Sequence, residues 1–278
     1  MSDIGIRDLH TLDECRGVVD LQVAVWGHDM ETVPAGVLLV SAKRGGILIG
    51  AFDGDRLVGF VWSMPGWRDG RPTHWSHMLG VDPAARAKGL GAALKIAQRA
   101  RALAQGVDLV EWTFDPLQAA NAHLNFATLG VVASEYIVDA YGELTGPLHR
   151  GTPTDRLIAE WWIDRPHVGR RLAVRSGTVV ARSAEVLDAP SVLDTRATGD
   201  WSAPVAEHLE LDVRRVRIPV PADFGRLQLE ATSLALEWRL AARRAFQAYF
   251  ARGYRAVDFY LDRARGGGVY VLALPDEG

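Results

Sequence analysis

The chain holds a single cysteine, Cys15, among its 278 residues. That scarcity excludes a disulfide framework and a zinc site built from thiolates. Cys15 falls on the apolar face of an expected helix, so it reads as a buried thiol rather than a nucleophile. Charge of either sign is nowhere concentrated: 31 lysines and arginines face 34 aspartates and glutamates, a formal net charge of −3. Without a basic block, no nucleic-acid surface is expected. No apolar run reaches membrane-spanning length, and the N-terminus lacks a charged-then-apolar signal pattern. The expectation is a cytoplasmic protein with no membrane partner. Ser and Cys nucleophile motifs are missing too, and no metal is expected. What the chain does have is 48% hydrophobic and 23% charged residues, a globular balance. Its length is comfortable for two domains.

The most informative stretch runs from Trp75 through Ser-His-Met-Leu-Gly-Val-Asp-Pro-Ala-Ala-Arg-Ala-Lys-Gly-Leu-Gly-Ala-Ala to Leu94. It reads as an apolar strand, a turn at Asp82-Pro83, and a glycine-punctuated entry into a helix that ends near Gly106. A helix start offers bare backbone N–H groups and the positive end of a dipole, which together favour an anion. Gly89 and Gly91 allow close approach to that backbone, and Arg86 and Lys88 add charge beside it. A P-loop would need Gly-x-x-x-x-Gly-Lys-Ser/Thr, which this stretch lacks. A dinucleotide fingerprint would need a third glycine where Leu94 stands. The spacing that does fit is Arg86-x-x-Gly89-x-Gly91 after Leu79-x-Val81-x-Pro83. This resembles the acetyl-CoA motif of the GNAT acyltransferase superfamily, Arg/Gln-x-x-Gly-x-Gly/Ala.

The order of elements agrees with that resemblance. Ile4 to Leu9 alternates weakly, and Thr11-Leu-Asp-Glu14 is a capping box for a helix closing near Gly27. Pro34 starts a second helix, to about Lys43. Gly46–Phe52 and Arg56–Met64 form two strands joined at Asp53-Gly54, a hairpin signal. Gly66 to Thr73 reads as a polar loop. Past the glycine helix come a strand at Asp108–Thr113, a helix from Asp115-Pro116 to Leu129-Gly130, and strands at Val131–Val138 and Leu157–Ile163. The succession β-α-α-β-β-β-α-β-α-β-β is what the GNAT fold looks like, and the resemblance covers residues 1 to about 165. It implies an α/β fold with a mixed sheet, residues 1–168 forming an acetyl-CoA-binding catalytic domain. Residues 169–278 read as a smaller C-terminal domain without an assigned role. There, Arg175–Arg182 is a candidate strand and Ala184–Glu207 is linker-like. A strand at Val213–Pro219, a helix at Ala222–Ala251 and strands at Ala256–Leu261 and Gly268–Ala273 follow. This strand-helix-strand-strand unit echoes the end of the first domain without a second Arg-x-x-Gly-x-Gly. It could cover the substrate side or make a homodimer.

The resemblance implies roles for individual residues. Leu79 and Val81 would meet the acetyl-pantetheine arm through their main chain. Arg86, Ala87, Lys88, Gly89, Leu90, Gly91 and Ala92 would surround the pyrophosphate. Aligned on Gly130, Phe126 takes the position of the family's tyrosine, often the general acid for the departing thiolate. Asn121 and Asn125, four apart on a helix, are the candidates for a pantetheine contact, with solvated asparagines the alternative. Tyr136 is the nearest substitute acid, or a half-buried strand aromatic. His77 alternates with Leu79 and Val81 and titrates near neutrality, which makes it the leading general base; a structural histidine is the alternative. Glu111 is a weaker candidate. The expected activity is transfer of an acetyl or other short acyl group from acetyl-CoA to a small-molecule amine by direct attack. The alternatives are a CoA-binding regulator or scaffold with little turnover, which the missing tyrosine favours, and an O-acyltransferase.

Overall fold

Thr11 opens the first long helix with the capping box its spacing predicts: its hydroxyl accepts from the Glu14 amide, and the Glu14 carboxylate accepts from the Thr11 amide at 2.9 Å. The helix is α1 (Leu12–Trp26), preceded by β1 (Ile4–Asp8). The computed structural model describes residues 4–28, 31–86, 89–142, 152–174, 188–262 and 267–275. Contacts group the chain into two units, Met1–Trp112 with Trp162–Arg165, and Thr113–Trp161 with Pro166–Gly278.

In the first unit, Pro34 precedes α2 (Ala35–Lys43). β2 (Ile47–Asp53), β3 (Arg56–Arg68), β4 (Arg71–Val81) and β5 (Leu109–Phe114) follow, with a 3-10 turn (Pro83–Ala85) and α3 (Leu90–Ala104) between the last two strands. The strands lie in the order β1-β2-β3-β4-β5, antiparallel except for the parallel pair β4–β5, so the sheet is mixed. A parallel neighbour requires a crossover, and α3 supplies it. Leu9, Cys15, Val18, Leu21, Leu38, Leu48, Phe60 and Trp62 form the core between the sheet and α1 and α2. Cys15 is wholly buried there. Two local expectations change. The polar run Gly66–Thr73 is not a loop: Gly66 pairs with Thr73 and Trp67 with Pro72, and the chain reverses only at Asp69-Gly70. Both of those residues have positive φ (50° and 78°), the two-residue hairpin turn that Asp-Gly favours. Exposure on the flanking strand ends makes the segment polar without making it irregular. The β2–β3 turn falls one residue later than expected, at Gly54-Asp55, because Asp53 still pairs with Arg56.

In the second unit, α4 (Ala119–Ala122) runs on into a π-helical stretch (His123–Leu129) closed by Gly130 at φ 74°. β6 (Tyr136–Ile137) pairs antiparallel with β7 (Arg156–Trp162), and α5 (Pro166–Val174) follows. The strand expected over Val131–Val138 is reduced to β6 and two single bridges, Val132 to Glu160 and Ala133 to Ala256. The expected strand at Arg175–Arg182 lies outside the described residues. The linker expected over Ala184–Glu207 is in part a hairpin, β8 (Leu193–Thr198) with β9 (Trp201–Glu207). Its Pro204 sits on an edge strand, the one place a sheet tolerates proline. β10 (Arg215–Pro221), α6 (Phe224–Glu230), α7 (Thr232–Ala251), β11 (Arg255–Asp262) and β12 (Gly267–Ala273) complete the chain. The single helix expected over Ala222–Ala251 is two, because Ala231 departs to φ −147°, ψ 65°. The last three strands form an antiparallel sheet ordered β10-β12-β11. Trp238, Ala241, Ala245, Phe246 and Tyr249 of α7 are buried.

Candidate active site

β4 carries the site, and a fault in its pairing shapes it. Ser76 pairs with Ser63 of β3 and Met78 with Trp62, which leaves His77 as the extra residue of a β-bulge. A bulge re-aims side chains that strict alternation would send to opposite faces. His77 lies edge-on to Trp62, ring centroids 5.2 Å apart, and Met78 packs against the cluster that contains Trp62. Both therefore turn to the α1–α2 face. His77 thereby parts from Leu79 and Val81, with which plain alternation had grouped it. The imidazole remains exposed at its outer edge. Desolvation by its neighbours lowers its pKa below the ordinary histidine value, so the ring is neutral at pH 7 and able to take a proton.

The parallel ladder between β4 and β5 is short. Among the described residues it holds only His74 with Val110 and Trp75 with Glu111. From Ser76 onward β4 is paired on its β3 side alone, and its other edge offers main-chain groups to a ligand. Leu79 and Val81 lie on this half-paired stretch, opposite Val61 and Gly59 of β3. Gly80 has no room for a side chain, since a Cβ there would come within 2.6 Å of Phe60 and 3.2 Å of Trp26.

Beyond Val81 the chain turns at Asp82, whose carboxylate accepts from the Ala84 amide at 2.9 Å and pairs with Arg56 at 3.2 Å. Arg86 is exposed, its Nε donating to the Val81 carbonyl at 3.4 Å. Ala87 and Lys88, expected beside it, lie outside the described residues. Gly89 is the N-cap of α3 in the left-handed region, at φ 70° and ψ 16°. A residue with a Cβ would be strained there by about 1–2 kcal/mol. Among the described residues no side chain caps this helix, and its first turn contains no acidic residue. A helix start of this kind favours an anion, and Gly91 behind it has no side chain to obstruct the approach. Leu90 and Ala92 are buried and anchor the turn to the sheet. The residues present thus fit a pyrophosphate.

The remaining candidates are placed as follows. Glu111 is buried and forms an ion pair with Arg68 at 2.5 Å. In the second unit, Tyr136 donates its hydroxyl to Asp155 at 2.6 Å, and burial together with that carboxylate raises its pKa well above the ordinary tyrosine value. Asp155 is also gripped by Arg243 through two hydrogen bonds of 2.8 and 2.9 Å. Phe126 is fully buried between Phe114 and Tyr270, with ring centroids at 6.0 and 5.5 Å. Asn121 is exposed on α4, whereas Asn125 is buried. The π-helical turn that starts at His123 widens the helix, so residues four apart no longer share one face. Among the described residues no group of three or more His, Cys, Asp or Glu could hold a metal ion, and no helix is long and apolar enough to cross a membrane.

Three residues escaped the sequence: Ser76, Lys95 and Gln98, all buried in one polar layer between β4 and α3. The available signal was a lysine interrupting the apolar face of α3, next to Leu94.

Comparison with known proteins finds that residues 13–126 match the model of the acetyltransferase (GNAT) family. No curated protein matches the chain. Several solved structures resemble it at low identity. A putative acetyltransferase of Salmonella typhimurium, yncA, with its cofactor acetyl-CoA, is 17% identical, with a TM-score of 0.47 over 58% of this chain and 95% of that one. The ribosomal-protein-S18-alanine N-acetyltransferase of Escherichia coli is 16% identical, with a TM-score of 0.48 over 59% and 96%. An aminoglycoside 6'-acetyltransferase of type Ii is 19% identical, with a TM-score of 0.47 over 58% and 99%.

Proposed function

Since residues 13–126 match the model of the acetyltransferase (GNAT) family, we propose that this chain moves an acetyl or other short acyl group from coenzyme A to the amine of a small molecule. The observation that carries the reading is the start of α3. It is a helix N-terminus with a left-handed Gly89 and, among the described residues, no side-chain cap, which follows a bulged strand that pairs with β5 only at His74 and Trp75 among those residues. The amides of Leu90, Gly91 and Ala92 would hold the pyrophosphate at fixed distance, and Arg86 would add long-range attraction. The half-paired edge of β4 at Leu79 and Val81 would run beside the pantetheine arm.

The transfer needs a neutral amine, a polarised carbonyl and a leaving thiolate. The amine nitrogen forms the new bond to the acyl carbon while the carbon–sulfur bond breaks and its electron pair leaves on sulfur. His77 accepts the proton that the nitrogen sheds, directly or through one water. The thiolate departs without a protein acid and takes its proton from water, which the low pKa of a thiol permits. Phe126 has no proton to give, and the Tyr136 proton is donated to Asp155.

The test is to incubate the protein with acetyl-CoA and a panel of amines and follow free thiol. Amine-dependent thiol release is expected. A second reading, a CoA-binding regulator with little turnover, is favoured by Phe126 at the position of the family's tyrosine. Tight CoA binding with no thiol release from any amine would replace the first reading with the second.

A further inference from the structure

The face that α3 turns to the sheet carries a lysine where an apolar residue is the ordinary choice. Lys95 is only 2% exposed. Its Nζ stands 3.5 Å from the centroid of the Trp112 ring, donates to Ser76 Oγ at 2.8 Å and to Gln98 Oε1 at 3.2 Å. Gln98 Nε2 donates in turn to Ser76 Oγ at 3.0 Å. Burying an amine is costly even when its hydrogen bonds are met, and desolvation here pulls the pKa of Lys95 well below the ordinary lysine value. An apolar side chain of the same length would fill the space at less cost.

What the lysine reaches explains its retention. Ser76 immediately precedes His77, the bulged residue of β4. Lys95 stands four residues, about one helical turn, beyond Gly91 on the helix whose start forms the anion cradle. A bulge is a single extra residue, and the side chains packed beside it help to decide where in the strand it falls. We propose that Lys95 is a positioning residue for acyl transfer: by holding Ser76 against α3 it fixes the bulge, and so keeps His77 packed on Trp62. The inference rests on the reading of His77 as general base and of Gly89 to Ala92 as the CoA cradle. Lys95 itself touches neither substrate.

The test follows the ring protons of His77 by NMR across a pH titration of the full chain, in the wild type, Lys95→Met, Ser76→Ala and the double variant. The resonance is assigned by its loss in His77→Gln. Both single variants should titrate closer to an ordinary imidazole than the wild type, because the ring leaves Trp62. The double variant should go no further than the larger single shift, since both changes cut one link. The rate constant kcat should fall about tenfold or more in each, while CoA affinity holds, since the cradle amides are untouched. An unchanged His77 titration in both single variants overturns the proposal. So does a shift in Lys95→Met alone, which would report only the removed charge. Should Lys95→Met fail to fold, Ser76→Ala decides the matter. Failure of the acyltransferase reading looks different: a wild type that releases no thiol, whatever His77 does in the titration.

Discussion

His77 reaches its place through an irregularity, and the irregularity governs how it should titrate. Its pKa lies below the ordinary histidine value of about 6.5, so the base form persists as pH falls into the acid range. The acid limb of kcat/KM should therefore lie below pH ~6.5, and rate should be flat in this group above it. His77→Ala should cost about a hundredfold in kcat/KM and abolish that limb. A pH–rate profile on any amine found to be acetylated checks both, and an intact limb in the variant would remove His77 from the base role. The sequence showed the strand that carries His77 but could not show the bulge. Nothing in Trp75-Ser-His-Met-Leu marks one, because pairing partners on β3 decide where the extra residue goes. Lys95 was illegible for a related reason: a lysine in a helix reads as solvated until the layer of Ser76, Gln98 and Trp112 is assembled around it.

Among the elements, α3 was the most legible in the sequence. Its Arg-x-x-Gly-x-Gly spacing and the left-handed Gly89 are local, and local features survive the step from sequence to structure. Gly89→Asp should abolish CoA binding while leaving the far-UV circular dichroism nearly unchanged. It sets a carboxylate at the helix N-terminus, where the proposed phosphates would sit, and adds left-handed strain of about 1–2 kcal/mol. Normal CoA affinity by calorimetry in that variant would refute the cradle. The helix that ends at Gly130 was less legible. Gly130 closes it as expected, but Asp115-Pro116 forms a turn, with Asp115 accepting from the Leu117 amide, and the helix begins only at Ala119. The π-helical turn inside it has no sequence mark, and it parts Asn121 from Asn125. α7 shows the same limit. Its apolar stripe was readable, while Arg239 and Arg243, which a sequence reading assigns to solvent, are the residues that grip Asp115 and Asp155. Arg239 is 1% exposed and forms a two-pronged pair with Asp115 at 2.7 and 2.8 Å. Arg239→Met should destabilise the fold by about 3–5 kcal/mol, since it strands a partly buried carboxylate. Adding Asp115→Asn should recover part of that loss. Urea unfolding of the single and double variants measures both.

At the scale of the whole molecule, the second unit draws on distant stretches of chain. Phe126 lies against Tyr270, Tyr136 stacks on Phe246 at 5.8 Å, and the Tyr270 hydroxyl donates to the Pro116 carbonyl at 2.7 Å. Residues 113–161 thus obtain their packing partners from residues beyond 220. A chain cut after residue 168 should lose those partners, expose Phe126 and Tyr136, and be recovered as aggregate or as a partly folded species that binds a hydrophobic dye. A monodisperse, cooperatively melting 1–168 fragment would show that the C-terminal part is dispensable to the fold. None of this reach was visible in sequence, where the resemblance faded near residue 165 and the remainder read as a separate small module.

The order β10-β12-β11 has a consequence for how the protein is made. β12 follows both β10 and β11 in sequence and yet lies between them in the sheet. Until Gly267–Ala273 emerges, β10 and β11 lack the strand that joins them, with α6 and α7 between them in sequence, and neither can complete its ladder. The first unit draws almost wholly on residues 1–112 and is free to form during synthesis. The second must wait until β12 has been synthesised. Termination before β12 would thus be as damaging as a lesion in the core, and the nascent chain is at greatest risk of misassociation while β10 and β11 wait for that strand.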